Sequence, residues 1–287
     1  MRISTFFMLG LVVLLGGCGI WDESPGVPHQ IVISSFDLST TSDQGTDSHG
    51  IEEVWVYTPT DVLGVFPLPA SIPVNYDGDE ESLGLTISAG IKANGIAATR
   101  RPYNFYETME VDIPYVPGST DTLVYNTQYI DDAQIILAEN FESANRFQAN
   151  SISLAEVVRT TDPQWVFEGS ASGFIELTDS LNQVFSSTQE QLYALPSNGP
   201  IYLEFNYKCT NSFSVGMEVY GNFDPVRQPI IVMNPSPDEW KKMYLDLGPF
   251  VMSYPGAFGY ELTMDAILDY ESDNGFIAVD NFKIVHY

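Results

Sequence analysis

The chain has 287 residues, of which 38 are acidic and 11 are basic, and its formal net charge is −27. A chain this acidic repels phosphate backbones, so nucleic acid is excluded as a partner. Hydrophobic residues make up 44% of the sequence and aromatic residues 13%. That content is enough for packed cores and excludes an intrinsically disordered chain.

The N-terminal segment has an apolar run, Phe6 to Leu15, that ends in the motif Leu15-Gly16-Gly17-Cys18. The run is about half the length that a membrane-crossing helix needs, and with its single arginine it is typical of a secretory signal. The motif resembles the lipobox of bacterial lipoproteins. The resemblance implies that residues 1–17 are a signal peptide and that Cys18 carries a covalent lipid anchored in the outer membrane. A plain signal peptide with an incidental cysteine is the alternative.

Residues 18–29 have the composition of a flexible acidic tether. Asp22 and Glu23 resemble the acidic export signal of Bacteroidetes lipoproteins, which implies an outer-membrane lipoprotein exposed on the cell surface. Two acids in a solvated linker are the simpler alternative.

Residues 30–129 contain short β-rich runs separated by Pro, Gly, Asp and Asn, which predicts a small immunoglobulin- or transthyretin-like β-sandwich. The segment VWVYTPTDVLGVFPLPASIPV (54–74) resembles transthyretin-like and carboxypeptidase-regulatory-like modules, which act as spacers or interaction domains. The block 90–107 resembles part of uncharacterised Bacteroidetes surface lipoproteins. Arg100 and Arg101 in this block are either part of a recognition loop or partners of nearby acids.

Residues 130–287 contain alternating segments such as PIYLEFNYK (200–208) and SISLAEVVR (151–159), which predict nine or ten strands and a jelly-roll β-sandwich. The segments ENFES (139–143), EWKKMYLDL (239–247) and IAVDNFKI (277–284) resemble jelly rolls of the carbohydrate-binding-module type. The expected fold class is therefore all-β, a small sandwich followed by a jelly roll.

The same resemblance implies a structural calcium ion where the first and last strands of the jelly roll meet. The expected ligands are Glu142 and Asp280, with Glu139 as a third, since calcium binds six to eight oxygen atoms. The alternative is that these carboxylates cap strands or accept backbone hydrogen bonds.

Aromatic residues in the segment SYPGAFGY (253–260) are candidates for ligand binding. Pro255 and Gly256 are expected to hold Tyr254, Phe258 and Tyr260 at the surface, where their rings stack on the C–H faces of sugars. The alternative is that these rings belong to the core.

Enzyme motifs are largely missing from the sequence. GSASG (169–173) has Ala171 where a nucleophile elbow needs serine, and the three histidines are too widely spaced for a zinc site. Cys209 is expected to be a buried, unreactive thiol.

These observations predict a non-catalytic, lipid-anchored surface protein. The main hypothesis is a binding or accessory subunit with a protein partner in an outer-membrane assembly, secretion or uptake complex. The alternative is a glycan-binding lipoprotein, and a glycan-acting hydrolase is a third hypothesis that rests only on the number of acids.

Overall fold

The computed structural model describes residues 27–75, 82–189 and 191–287. Within these ranges the chain is built of strands, with one 3-10 turn at Ala97–Thr99 and one short helix, α1 (Gly248–Met252). The all-β prediction is confirmed. No helix in the described ranges has the length and hydropathy that a membrane span requires. Cys18 and most of the expected tether lie outside the described residues.

The first half of the chain forms two facing sheets. Its strands are β1 (His29–Ser39), β2 (Glu53–Tyr57), β3 (Val62–Pro67), β4 (Ala70–Val74), β5 (Ser82–Lys92), β6 (Arg100–Pro102), β7 (Met109–Pro114) and β8 (Thr120–Gln128). One sheet has the order β4-β1-β8, with β1 and β8 parallel, and in the other β2 pairs with β3 and β5 while β5 also pairs with β6 and β7. Alternating buried residues such as Ile31 and Ile33 fill the space between the sheets.

The strand β1 begins one residue earlier than the expected boundary. His29, the last residue assigned to the tether, is buried, and its Nε2 lies 3.0 Å from a carboxylate oxygen of Asp121 in β8. This contact belongs to the sheet β4-β1-β8, so the chain is already part of the fold at His29.

The second half of the chain forms a larger sandwich. Its strands are β9 (Gln134–Glu139), β10 (Gln148–Ala149), β11 (Val158–Thr160), β12 (Ser172–Thr178), β13 (Gln183–Ser187), β14 (Ile201–Cys209), β15 (Phe213–Gly221), β16 (Val226–Met233), β17 (Ser236–Asp246), β18 (Ala257–Ile267) and β19 (Asn274–His286). The order is β10-β13-β18-β15-β16 in the five-stranded sheet and β11-β12-β19-β14-β17 in the six-stranded sheet, where β9 also pairs with β19. All of these pairings are antiparallel.

One predicted strand of this half is wrong. Residues 151–157 form turns, and only Val158–Thr160 is extended. Asn150 stabilises the turn because its Oδ1 accepts hydrogen bonds from the Ile152 N–H and from the Ser153 hydroxyl, both at 3.1 Å. An asparagine side chain that bonds its own following backbone in this way competes with strand pairing.

The outer face of the six-stranded sheet packs against the first sandwich. Tyr202, Tyr244 and Val285 point outward from this sheet and are buried within the core of the first half. The loop after β1 also crosses between the halves, because Thr46 donates to Glu168 and the Asn206 amide donates to the Ser48 hydroxyl. The outer face of the six-stranded sheet is therefore partly covered.

A buried charge cluster lies where the two halves meet. Glu204 of β14 is fully buried and accepts hydrogen bonds from the hydroxyls of Tyr103, at 2.6 Å, and Tyr129, at 2.9 Å. The Nζ atoms of Lys242 and Lys283 lie 3.2 and 4.0 Å from the same carboxylate. Burial alone raises the pKa of Glu204, but the two lysines and the two hydroxyls outweigh it, so the pKa is lowered and the carboxylate is charged.

Candidate functional site

The outer face of the five-stranded sheet carries a connected group of polar side chains. Alternation along β15 and β18 places Glu218 and Tyr220 on this face, together with Glu261 and Asp265, while Val219 faces the core. Arg227 of β16 and Ser187 of β13 complete the group. We refer to the face carrying Ser187, Glu218, Tyr220, Arg227, Glu261 and Asp265 as the network face.

Arg227 connects three strands of the network face. Its Nη1 donates to Glu218 at 3.2 Å, its Nε donates to Asp265 at 3.2 Å, and its Nη2 donates to the Ser186 carbonyl at 2.7 Å and to the second oxygen of Asp265. A guanidinium held by two carboxylates and a carbonyl has one orientation. The centre of the face is therefore rigid before any ligand arrives.

Gly216 lies on the network face of β15 between Ser214 and Glu218, next to the strand that carries Arg227. A Cβ atom at this position would lie 2.2 Å from the Gln228 carbonyl oxygen of β16, where the strand pairing shifts register. Glycine is the residue that allows this close approach of two backbones.

Glu261 forms the second part of the network. It is buried, lies directly opposite Glu218 in the pairing of β15 with β18, and accepts a hydrogen bond from the Ser187 hydroxyl at 2.9 Å. Partial burial, Glu261 and Glu218 together raise the pKa of Tyr220 to about 12, so this hydroxyl stays protonated and donates to Glu261. With one guanidinium against three carboxylates, the network face is negatively charged.

Rings and apolar side chains border the network. Phe185 of β13 lies directly opposite Asp265, and both line a depression of about 490 Å³ that also includes Arg227. At the other end Tyr220 lies opposite Gly259, and a Cβ atom on Gly259 would lie 3.1 Å from Leu192. The face thus has fixed hydrogen-bonding groups between two apolar ends.

The three expected calcium ligands are each engaged in hydrogen bonds. Glu139 accepts from the backbone N–H groups of Phe141 and Arg146, both at 2.6 Å. Glu142 accepts from the Ser170 hydroxyl at 2.6 Å and from the Ser170 N–H at 2.9 Å, which lowers its pKa. These contacts are those expected of carboxylates that cap the backbone.

Asp280, the third expected calcium ligand, is buried in β19. Its Oδ2 accepts from the Ser172 hydroxyl at 2.6 Å, and burial raises its pKa to about 7. The described residues contain no group of three or more His, Cys, Asp or Glu side chains placed to hold a metal ion. Calcium binding by Glu139, Glu142 and Asp280 stays a prediction.

The expected aromatic site does not form one exposed surface. Tyr260 is 3% exposed and belongs to the core, so the expectation that Pro255 and Gly256 keep it at the surface is wrong. Side chains alternate between the two faces of β18, and that of Tyr260 points toward the inside of the sandwich. Tyr254 is partly buried against the same core, and Phe258 is 63% exposed. A role of Tyr254 and Phe258 in ligand binding stays a prediction.

Arg100 and Arg101 lie at the start of β6 and contact acids. An Nη1 atom of Arg100 lies 3.4 Å from Glu53, and that of Arg101 lies 3.2 Å from Asp246 of β17. Arg101 thus connects the two halves of the chain. A recognition role for this loop stays a prediction, as does lipidation of Cys18, which lies outside the described residues.

Cys209, the cysteine within the described residues, is a free thiol with no exposed surface. Burial raises its pKa to about 11, so it is protonated and unreactive at neutral pH, as expected from its position in an alternating strand.

Sequence reasoning missed the network face. Its residues are separated by up to 78 positions along the chain, from Ser187 to Asp265, and each occurs in an ordinary strand pattern. The signal available was the alternation of GMEVYG (216–221) and YELTMD (260–265), which places Glu218 and Glu261 on the outward side of their strands. Which strands are neighbours could not be obtained from these patterns.

No protein-family model matches the chain, and no curated protein matches it by sequence. Among solved structures it is similar to a family 30 carbohydrate-binding module from Clostridium thermocellum, with 12% identity, a TM-score of 0.42, and coverage of 53% of this chain and 96% of that one. It is also similar to a family 22 xylan-binding domain from Paenibacillus barcinonensis, with 15% identity, a TM-score of 0.36, and coverage of 52% and 97%. A third similar structure, described as a carbohydrate-binding module of the β-sandwich superfamily, has 12% identity, a TM-score of 0.37, and coverage of 80% and 83%. The structural neighbours are thus β-sandwich carbohydrate-binding modules.

Proposed function

We propose that this protein is a non-catalytic glycan-binding protein and that the ligand lies on the network face. The observation that carries the proposal is the fixed arrangement of Arg227, Glu218 and Asp265 in the centre of a sheet face, with Tyr220 and Phe185 at its ends. Binding sites combine apolar surface with a few well-placed polar groups in this way.

The chemistry of the network face suits sugar hydroxyls. Each hydroxyl both donates and accepts, so a pair of vicinal hydroxyls can donate to a carboxylate and accept from a guanidinium. A ring such as that of Tyr220 packs against the C–H face of a sugar and loses little conformational entropy on binding. The negative charge of the face favours uncharged glycans over acidic ones.

Binding without catalysis is supported by the state of the carboxylates. Glu218 and Asp265 are paired with Arg227, and Glu261 accepts from Ser187, so each is held as a hydrogen-bonding group. A glycosidase needs one carboxyl group that is protonated near neutral pH and that faces the scissile bond. The three carboxylates of the network face are instead engaged as hydrogen-bond acceptors.

The test is the substitution Tyr220→Ala, with Tyr57→Ala in the first sandwich as the matched control. Binding of neutral xylo-, cello- and manno-oligosaccharides is measured by glycan array and by calorimetry. We expect Tyr220→Ala to weaken binding of the preferred glycan at least tenfold, because the stacking surface is lost, and Tyr57→Ala to leave it unchanged. Failure of the folded wild-type protein to bind any neutral glycan would contradict the proposal.

We propose further that the protein presents this face outside the cell, from a lipid anchor on Cys18. The support is the sequence motif Leu15-Gly16-Gly17-Cys18 and the acids that follow it. Metabolic labelling with a fatty-acid analogue is expected to mark the wild-type protein and Cys209→Ser, but not Cys18→Ser. Equal labelling of both variants would contradict lipidation at Cys18. A protein partner in the outer membrane stays a prediction, which affinity purification of the tagged protein from that membrane would check.

A further inference from the structure

A cleft of about 630 Å³ opens between the two sandwiches. One wall comes from the first half, at His49 to Glu52 and at Lys92 to Ile96, and the other wall comes from β16 and β17. None of the residues that define the network face lines this cleft. Its volume is within the range of pockets that hold small ligands.

The cleft is lined by most of the lysines of this acidic chain. The sequence has five lysines, at positions 92, 208, 241, 242 and 283, and three of them line this one cleft. Two glutamates at the rim, Glu52 and Glu239, pair with Lys92 and Lys241. All four of these side chains are more than one third exposed, so each pair contributes little stability and its ammonium group can change partner at small cost.

A buried cluster of charged groups lies behind the wall of the cleft. Lys242 lines the cleft with a side chain that is 2% exposed, and its Nζ makes no hydrogen bond although Glu204 is 3.2 Å away. Glu204 already accepts from Tyr103 and Tyr129, and Lys283 lies on its other side. Lys283 also lies near Glu168 and Asp47, so Lys242 is the buried ammonium group that bears directly on the cleft.

Uncharged groups in the cleft suit a saccharide. Trp240 of β17 is half-buried in the cleft wall, with its indole packed against Phe167 at 5.2 Å between ring centroids. Asn94 accepts a hydrogen bond from the Asp246 N–H through its Oδ1, so its Nδ2 hydrogens are available as donors. A partly exposed indole can pack against a sugar ring, and an amide N–H can bind one of its hydroxyls.

We propose that this cleft is a second ligand site and that it takes an anionic saccharide, with Lys92 and Lys241 as contacts for its acidic groups and Trp240 as a contact for a sugar ring. Ammonium groups bind carboxylates and sulfate esters alike as point charges, so the shared feature of the ligand is its negative charge. The two sites of the chain then differ in charge, because the network face has one guanidinium against three carboxylates, whereas three lysines and two glutamates line the cleft.

The experiment measures binding to a galacturonate trimer, a sulfated oligosaccharide and a neutral oligosaccharide of equal length, at two salt concentrations. The variant is the double substitution Lys92→Gln and Lys241→Gln, and Lys208→Gln is the control because Lys208 is outside the cleft. We expect at least one anionic probe to bind more tightly than the neutral one in the wild type. The double variant should weaken this binding at least tenfold and reduce its salt dependence, and Lys208→Gln should not.

Two results would overturn the proposal. One is equal affinity of the wild type for the neutral and both anionic probes, and the other is an unchanged affinity for the anionic probe in the double variant. The variant Tyr220→Ala separates this site from the network face. It should lower the affinity for neutral glycans while leaving that for the anionic probe unchanged, so either site can fail without the other.

Discussion

Asp280 is a buried acid whose ionisation is coupled to folding. Burial is the main cause of its raised pKa, of about 7, and the nearby carboxylates of Glu168 and Glu142 raise it further, against the hydrogen bonds from Ser172 and Asn281. An unfolded chain has an aspartate pKa of about 3.9. The folded protein therefore binds this proton more tightly than the unfolded protein. The stability that this proton contributes to the folded state is complete below about pH 4. It is lost progressively as the pH rises from about 4 to about 7.

The substitution Asp280→Asn should remove this pH dependence. The asparagine keeps the size of the side chain and stays neutral, so the variant should gain stability relative to the wild type as the pH rises from 5 to 8. One pKa unit corresponds to about 1.4 kcal/mol, which makes the expected gain on the order of 2–4 kcal/mol. Urea denaturation in EDTA at several pH values measures it.

A constant difference in unfolding free energy between the two proteins across this pH range would contradict the prediction. The same pair of proteins also tests the predicted calcium site. If Asp280 binds calcium, added calcium should raise the melting temperature of the wild type at pH 8 and leave that of Asp280→Asn unchanged. If calcium leaves both unchanged, the calcium prediction is wrong.

At the scale of the element, sequence patterns predicted strands well where apolar and polar residues alternate. In β14 the alternation of Leu203, Phe205 and Tyr207 with polar residues was sufficient, because those side chains face the core of the sandwich. The pattern failed at 151–157, where Ile152 and Leu154 are exposed and the turn of Asn150 replaces strand pairing. Hydrophobic residues at alternate positions predict a strand only when a sheet is present to bury them.

Strand neighbours explain why the candidate sites were harder to predict. The network face depends on β15 lying between β16 and β18, which brings Arg227 within reach of Asp265. The cleft depends on two halves of the chain meeting, with Lys92 on one wall and Lys241 on the other. Both are products of long-range packing, whereas a candidate such as SYPGAFGY (253–260) is one continuous stretch of sequence.

At the scale of the whole molecule, the two halves share a core that is partly polar. Tyr202 and Tyr244 of the second half are buried in the first, and Tyr103 and Tyr129 of the first half donate to Glu204 of the second. Because these hydroxyls and the two lysines satisfy one carboxylate, Glu204 fixes how the halves meet. The cleft, with lysines on both of its walls, exists only in that arrangement.

The substitution Glu204→Gln tests this arrangement. It keeps the volume of the side chain but removes the carboxylate that Lys242 and Lys283 both face, and breaking a buried ion pair from one side costs about 3–5 kcal/mol. Chemical denaturation is expected to show this loss, whereas the control Glu239→Gln, at an exposed pair with Lys241, should cost less than about 1 kcal/mol. Burial already lowers the pKa of Lys283 to about 8, so in the variant this lysine should lose its proton more easily still. The loss of stability should then be larger at pH 6 than at pH 9, and equal stability of the two variants at pH 6 would show that Glu204 does not hold the halves together.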